Sequence, residues 1–250
     1  MTVRTALPRS ARVACGLLLA AAFAGAQATG RPGGYLGGDL PPLAELLAPP
    51  PAAGSAEARA DLEAVLALQR SRTPAESAEA VADVEISPFR FADAIGPGFD
   101  PARTPRVAAL LDGTADDLRG GTRAAKARWE RPRPAEASDA VAPLVEAHGA
   151  SYPSGHATYA YVAAIVLARM LPERSEAIFA RAGRYARNRV VAGVHYPSDV
   201  DAGRIAGTVL ADRLFRQPAF RRDFEAAREE LRAALGLPDA ATSAPSATAH

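Results

Sequence analysis

Cysteine is almost absent from this 250-residue chain: the single one, Cys15, falls in an N-terminal segment with the layout of a leader. A basic region (Arg4, Arg9, Arg12) precedes an apolar run from Val13 to Phe23, and small residues follow to Ala26 and Ala28. That is the pattern of a secretory signal peptide cut after Ala26 or Ala28. Without it the chain has no cysteine, which excludes a disulfide, a thiolate nucleophile and a cysteine metal site. Aromatic residues are scarce at 6%, so alanine, leucine and valine must fill the core. No other apolar run approaches the length needed to cross a bilayer, so no membrane span is expected in the mature chain. A strong net charge is missing too: the formal value is +1, and loss of the leader's three arginines makes it −2. A near-neutral domain argues against a general nucleic-acid binder. Lysine is the last scarcity. Of 29 Lys and Arg residues all are arginine except Lys126.

What is present reads as one helical domain. Residues 1–28 are the leader, 29–54 a Gly/Pro-rich N-terminal arm, 55–237 the folded domain, and 238–250 a Ser/Thr/Ala-rich tail expected to be disordered. Helix signals recur through the domain. Ser55 precedes a stripe at helical spacing, and Thr73-Pro74-x-Glu76 is a capping box. Thr104-Pro105 and Thr114 with Asp117 mark two further starts. Helices are expected over 158–171, apolar nearly all round, and over 173–188, 198–215 and 218–235. In the 173–188 helix, Ile178, Ala182, Tyr185 and then Arg189 share the apolar stripe, whereas Arg181, Arg184 and Arg187 read as its solvated face. A guanidinium on the buried side needs an anion. Gly203, Ala206 and Gly207 make a smooth face for close packing, either in the core or at an interface. No run of strands and no repeat is found, so the fold class is all-α.

The chemistry concentrates between Gly149 and Asp199. The turn Pro153-Ser154-Gly155-His156 can aim backbone N–H groups at an anion beside an imidazole. A second imidazole, His195, has Arg189 six residues before it and Asp199 four after. Two histidines, fixed cations and a carboxylate suffice for phosphoryl transfer without a metal. Taken singly each has a blander reading: a structural histidine, a helix-start acid at Asp199, a helix-end cation at Lys126.

Lys126-x6-Arg133-Pro134, Pro153-Ser-Gly-His156 and Arg189-x5-His195-x3-Asp199 occur in order. Together they resemble the three-part signature of the type 2 phosphatidic acid phosphatase superfamily, which also contains the vanadium haloperoxidases. Within it the chain looks most like the class A bacterial non-specific acid phosphatases, over roughly residues 49–235. The resemblance implies a compact helical bundle and a broad phosphomonoesterase. In it Lys126, Arg133, Ser154, Gly155 and Arg189 would bind phosphate, His195 would be the nucleophile, Asp199 would orient it, and His156 would be the acid and then the base. It implies no cofactor or metal, small phosphomonoesters as partners, and a periplasmic or secreted location, with phosphotransfer to alcohols as a side activity. A homo-oligomer stays open. The chain departs from the family pattern at Asn188, where the motif usually has serine; a change in the positioning of Arg189 is expected there. Two alternatives stand beside this reading, a vanadium-dependent haloperoxidase and a non-catalytic phosphate-binding module.

Overall fold

A computed structural model describes residues 33–238. The leader with Cys15, the first residues of the arm and all but the first residue of the tail lie outside the described residues. Among the described residues eight helices of eight residues or more occur and no strand. They are α1 (Ala56–Ser71), α2 (Pro74–Ala82), α3 (Pro105–Asp112), α4 (Ala115–Trp129), α5 (Gly155–Met170), α6 (Ser175–Val191), α7 (Pro197–Arg216) and α8 (Pro218–Ala234). Short turns of helix at Leu43–Leu46, Ala92–Ile95 and Pro134–Ala137, and 3-10 turns at Pro88–Phe91 and Pro172–Arg174, fill the connections. None of the described helices is long and apolar enough to cross a membrane.

Helix α5 is the axis of the fold. Eleven of its sixteen residues are buried, which is what a helix apolar on every side requires, and α6 and α7 flank it. The arm lies on the domain as expected, with Leu36, Leu43 and Leu47 buried. Asp117 holds it by accepting from the backbone N–H of Tyr35 (2.7 Å) and of Leu36 (2.9 Å). That corrects the sequence reading, in which Asp117 helped Thr114 to cap α4. The Thr114 hydroxyl instead donates to the Leu111 carbonyl, and no side chain caps α4. Ser55 and the Thr73–Glu76 capping box act as expected.

Two boundaries bear on the site. Helix α5 begins at Gly155, not Thr158, so Ser154 is its N-cap and Gly155 and His156 form its first turn. Helix α6 runs on to Val191, which places Arg189 inside it. It ends in a Schellman motif: Gly193, at φ +75°, donates to Val190 (2.9 Å) and Val194 to Arg189 (3.1 Å). The left-handed glycine reverses the chain within two residues, and that reversal carries His195 back toward Arg189.

The glycine face of α7 packs into the core. A Cβ at Gly203 would lie 2.6 Å from the Ser154 carbonyl oxygen and 2.7 Å from Ala157 Cβ; one at Gly207 would lie 2.6 Å from the Thr158 carbonyl oxygen. Close approach of α7 to the start of α5 thus depends on missing side chains. Gly203→Ala is expected to cost about 1–3 kcal/mol through overpacking. Gly183→Ala, on α6 with nothing within 4 Å of the new Cβ, is expected to stabilise by up to about 1 kcal/mol. Thermal unfolding of the pair reads the opposite signs; equal shifts would contradict this account.

Candidate active site

Four segments converge on one point: the last turn of α4 with the loop after it, the first turn of α5, the end of α6, and the start of α7. Lys126 sits in the last turn of α4, which Glu130 terminates in a left-handed conformation at φ +40°. The turn of chain after it lets Arg133 fold back over the site. Its guanidinium donates to the carbonyls of Gly149 (2.9 Å), His148 (3.0 Å) and Val194 (2.7 Å), and Nη1 lies 3.3 Å from His195 Nε2. Lys126 Nζ donates to the Ala150 carbonyl at 2.6 Å. Neither cation has a carboxylate within salt-bridge distance among the described residues.

Arg189 is the most exposed to electrostatic cost, though it is the least exposed to water. It is 2% accessible, and its Nε and Nη1 have no hydrogen-bond partner among the described residues. Orphaned guanidinium N–H groups in the interior are costly unless an anion meets them. Burial lowers its pKa to about 10, with Arg133 pushing in the same direction and Tyr185 opposing. Lys126 is lowered to about 8, chiefly by burial and then by Arg133. Arg133 lowers both, the effect expected of like charges held near one another.

His195 is buried between Asp199 and Arg133. Its Nδ1 donates to Asp199 Oδ2 across 3.3 Å, which leaves Nε2 as the basic atom on the cradle side. Asp199 is the third residue of α7 and accepts the Tyr196 N–H at 2.9 Å, so it is a helix-start acid as well as a histidine partner. His156 is held from the other side. Its Nε2 lies 3.0 Å from the Val84 carbonyl, which can only accept, so Nε2 carries the proton and Nδ1 is left free to exchange one. Ser154 Oγ accepts the Ala157 N–H at 3.3 Å. That bond uses a lone pair, and the hydroxyl proton can still go to an anion.

Three contributors had no sequence signal. Arg131 is buried and bonds Asp199 Oδ1 (2.6 Å), Asp61 Oδ2 on α1 (2.8 Å) and Ser198 Oγ (2.7 Å). Ser151 Oγ donates to Asp199 Oδ2 at 2.5 Å. Asp83 corrects one expectation and supplies a partner for Asn188. Arg181 is not on a solvated face: it is 2% exposed and pairs with buried Asp83 at 2.6 Å. Asn188 donates to the same carboxylate at 2.7 Å. Asn188 therefore anchors the loop whose Val84 carbonyl holds His156, in addition to preceding Arg189. Only a contact between α6 and residues a hundred positions away could reveal this.

Protonation follows from burial. His195 is lowered to about 4 by burial, which outweighs Asp199, and Arg133 and Lys126 add to the fall. His156 is lowered to about 3 by burial and then by Arg189. Both sit below the 6.5 of a free histidine, so the unfolded chain binds more protons below that pH. Their stabilisation is complete above pH 6.5 and is lost as pH falls toward 4 and 3. A loss of about 5 kcal/mol between pH 7 and 4.5 is expected from the two together. An anion in the cradle reverses the field. Inorganic phosphate should therefore raise the melting temperature more at pH 4.5 than at pH 7, and an equal rise at both would contradict it.

Among the described residues no group of three or more His, Cys, Asp or Glu side chains is placed to hold a metal ion. Residues 109–223, which contain every motif above, match the PAP2 superfamily. An acid phosphatase of Zymomonas mobilis is 31% identical over 194 residues, 74% of each chain. A non-specific acid phosphatase of Salmonella typhi is 44% identical over 81 residues, and that match spans about a third (32%) of either protein. Among solved structures, a transmembrane PAP2 type phosphatidylglycerolphosphate phosphatase from Bacillus subtilis is 23% identical with a TM-score of 0.48, over 72% of this chain and 90% of that one. With 74% of the Zymomonas relative covered at 31% identity and the signature contained in the family match, the chain belongs to the PAP2 superfamily.

Proposed function

We propose that this protein is an exported, metal-independent acid phosphatase that hydrolyses a broad range of phosphomonoesters through a phosphohistidine at His195. The observation that carries the reading is Arg189: a buried guanidinium whose Nε and Nη1 have no partner among the described residues, in a site that also holds a histidine backed by a carboxylate. A protein built only to bind phosphate has no use for that histidine pair. The relatives named acid phosphatases support the same reading.

In the proposed reaction Lys126, Arg133 and Arg189, with the Ser154 hydroxyl and the Gly155 N–H at the start of α5, hold the non-bridging phosphate oxygens and offset charge in the transition state. His195 Nε2 attacks phosphorus as the P–O bond to the alcohol breaks. Asp199 holds the Nδ1 proton, so that Nε2 presents its lone pair and the developing positive charge is balanced. His156 Nδ1 gives a proton to the leaving alkoxide, then takes one from water as that water attacks the phosphohistidine. The anion raises the pKa of His156 from about 3, so substrate binding and proton uptake go together. Interception of the intermediate by an alcohol gives phosphotransfer. The leader-like residues 1–28 support export to a periplasm or beyond.

Hydrolysis of an aryl phosphate by the mature chain, with chelator present and across pH 4 to 9, tests the reading. Activity is expected to be greatest in acid and to fall above neutrality. A chelator-sensitive rate, or one still rising at pH 9, would overturn it.

A further inference from the structure

Beside the cradle lies a cavity of about 660 Å³, a volume typical of a small-molecule site. Lys126, Gly155 and His156 form its inner end. Its walls are mostly apolar, with Leu111, Leu118 and Ile86, the last 50% exposed, though Asp112, Arg119, Thr122 and Arg123 also line it. Tyr159 completes the wall. It follows His156 by three positions on α5 and so occupies the same helix face. It is 3% exposed, and its hydroxyl has no partner among the described residues. A buried phenol hydroxyl without a partner is unfavourable, and the residue that carries it lines the cavity.

We infer that this cavity receives the alcohol part of the substrate and selects phosphomonoesters whose alcohol carries an apolar ring tipped with a hydrogen-bonding group. The inference rests on the phosphatase reading. If His156 protonates the leaving oxygen, the alcohol starts at the inner end of the cavity, and its remaining atoms must extend between the apolar walls. A ring there removes apolar surface from water on both partners. A small polyol would leave the apolar part of the walls unmet.

Three substrates with alcohols of nearly equal acidity isolate the effect from chemistry: ethyl phosphate, 2-phenylethyl phosphate and 2-(4-hydroxyphenyl)ethyl phosphate. The kcat/KM of the wild type is expected to rise about 10- to 100-fold from the first to the second. It is expected to rise about 5-fold more from the second to the third, the worth of one good hydrogen bond. In Tyr159→Phe that last ratio should fall to about 1, and in Ile86→Ser the first ratio should shrink several-fold. Thermal unfolding checks that both variants are folded. Equal kcat/KM for ethyl and 2-phenylethyl phosphate in the wild type would overturn the inference and leave the phosphatase reading standing. Hydrolysis of none of the three would overturn both. A Tyr159→Phe enzyme that kept the hydroxyl gain would overturn the role of Tyr159.

Discussion

His195→Ala is expected to lower kcat by a factor of about 10⁴ or more while leaving phosphate affinity within a few-fold of wild type. The two effects separate because they rest on different groups. Alanine at 195 removes the nucleophile, and without it water would have to attack phosphorus directly; losing the nucleophile of a covalent mechanism costs this much or more. The phosphate-binding cations are untouched. Lys126 keeps its bond to the Ala150 carbonyl, and Arg133 keeps three backbone carbonyls that do not involve the imidazole. Removing His195 also frees Asp199, but Arg131, Ser151 and the Tyr196 N–H still hold that carboxylate. The folded site should survive. Rapid acid quench of the wild type with labelled substrate should trap an acid-labile phosphoryl group, absent in the variant. A variant that hydrolyses aryl phosphate at the wild-type rate would exclude His195 as nucleophile. If the wild type itself binds phosphate without hydrolysing any ester, the non-catalytic binding module becomes the better reading. Halide oxidation with vanadate and peroxide would favour the haloperoxidase.

The second large effect is expected at Arg131, a residue that touches no substrate. It bridges two buried carboxylates, Asp61 and Asp199, and stacks over the Tyr196 ring at 4.0 Å. Burial by itself would raise the pKa of Asp199. His195, Arg131 and Ser151 outweigh it and bring the net shift down. Asp199 therefore stays a carboxylate in acid, and the proton stays on His195 Nδ1, where the nucleophile needs it. The sign follows directly. Weakening the Arg131 contact raises the Asp199 pKa, so the acidic limb of kcat/KM should move to higher pH. Arg131→Lys keeps the charge but cannot reach both carboxylates in a fork. We expect it to shift that limb up by about one unit and to lower kcat about 10-fold or more at pH 5, with KM little changed. Arg131→Met leaves two uncompensated buried charges and should cost about 3–5 kcal/mol of stability. Asp61→Asn, which loosens Arg131 without touching Asp199, should show a smaller shift of the same limb. An unchanged pH profile in Arg131→Lys would reduce Arg131 to packing.

Much of the fold was legible from local signals. The capping box at Thr73 and Glu76, the proline at the first position of several helices, and the all-round apolar pattern of 158–171 depend on neighbours in the chain, so they appear where the sequence places them. Helix ends were legible only to within a turn. The early start of α5 is set by Ser154 Oγ meeting the Ala157 N–H and by the Ser154 N–H donating to the Asp199 carbonyl at 3.0 Å, a tertiary bond no local pattern announces. Arg181 was misread for the same reason. Its helical position points away from the apolar stripe, yet Asp83 on a distant loop supplies the charge that lets it be buried.

The sequence by itself determined the all-α class and the lone lysine, and it named the eight residues proposed for the site. Those residues could be named because each motif keeps its spacing within a single turn or helix, where geometry follows from the chain. Only the tertiary structure decided which groups support them. Arg131, Ser151, Asp61 and Asp83 act through contacts between segments far apart in sequence, and the energy of a buried charge depends on what surrounds it in space. The glycine face of α7 was an open choice in the sequence. Packing against the carbonyls of α5 settled it as core.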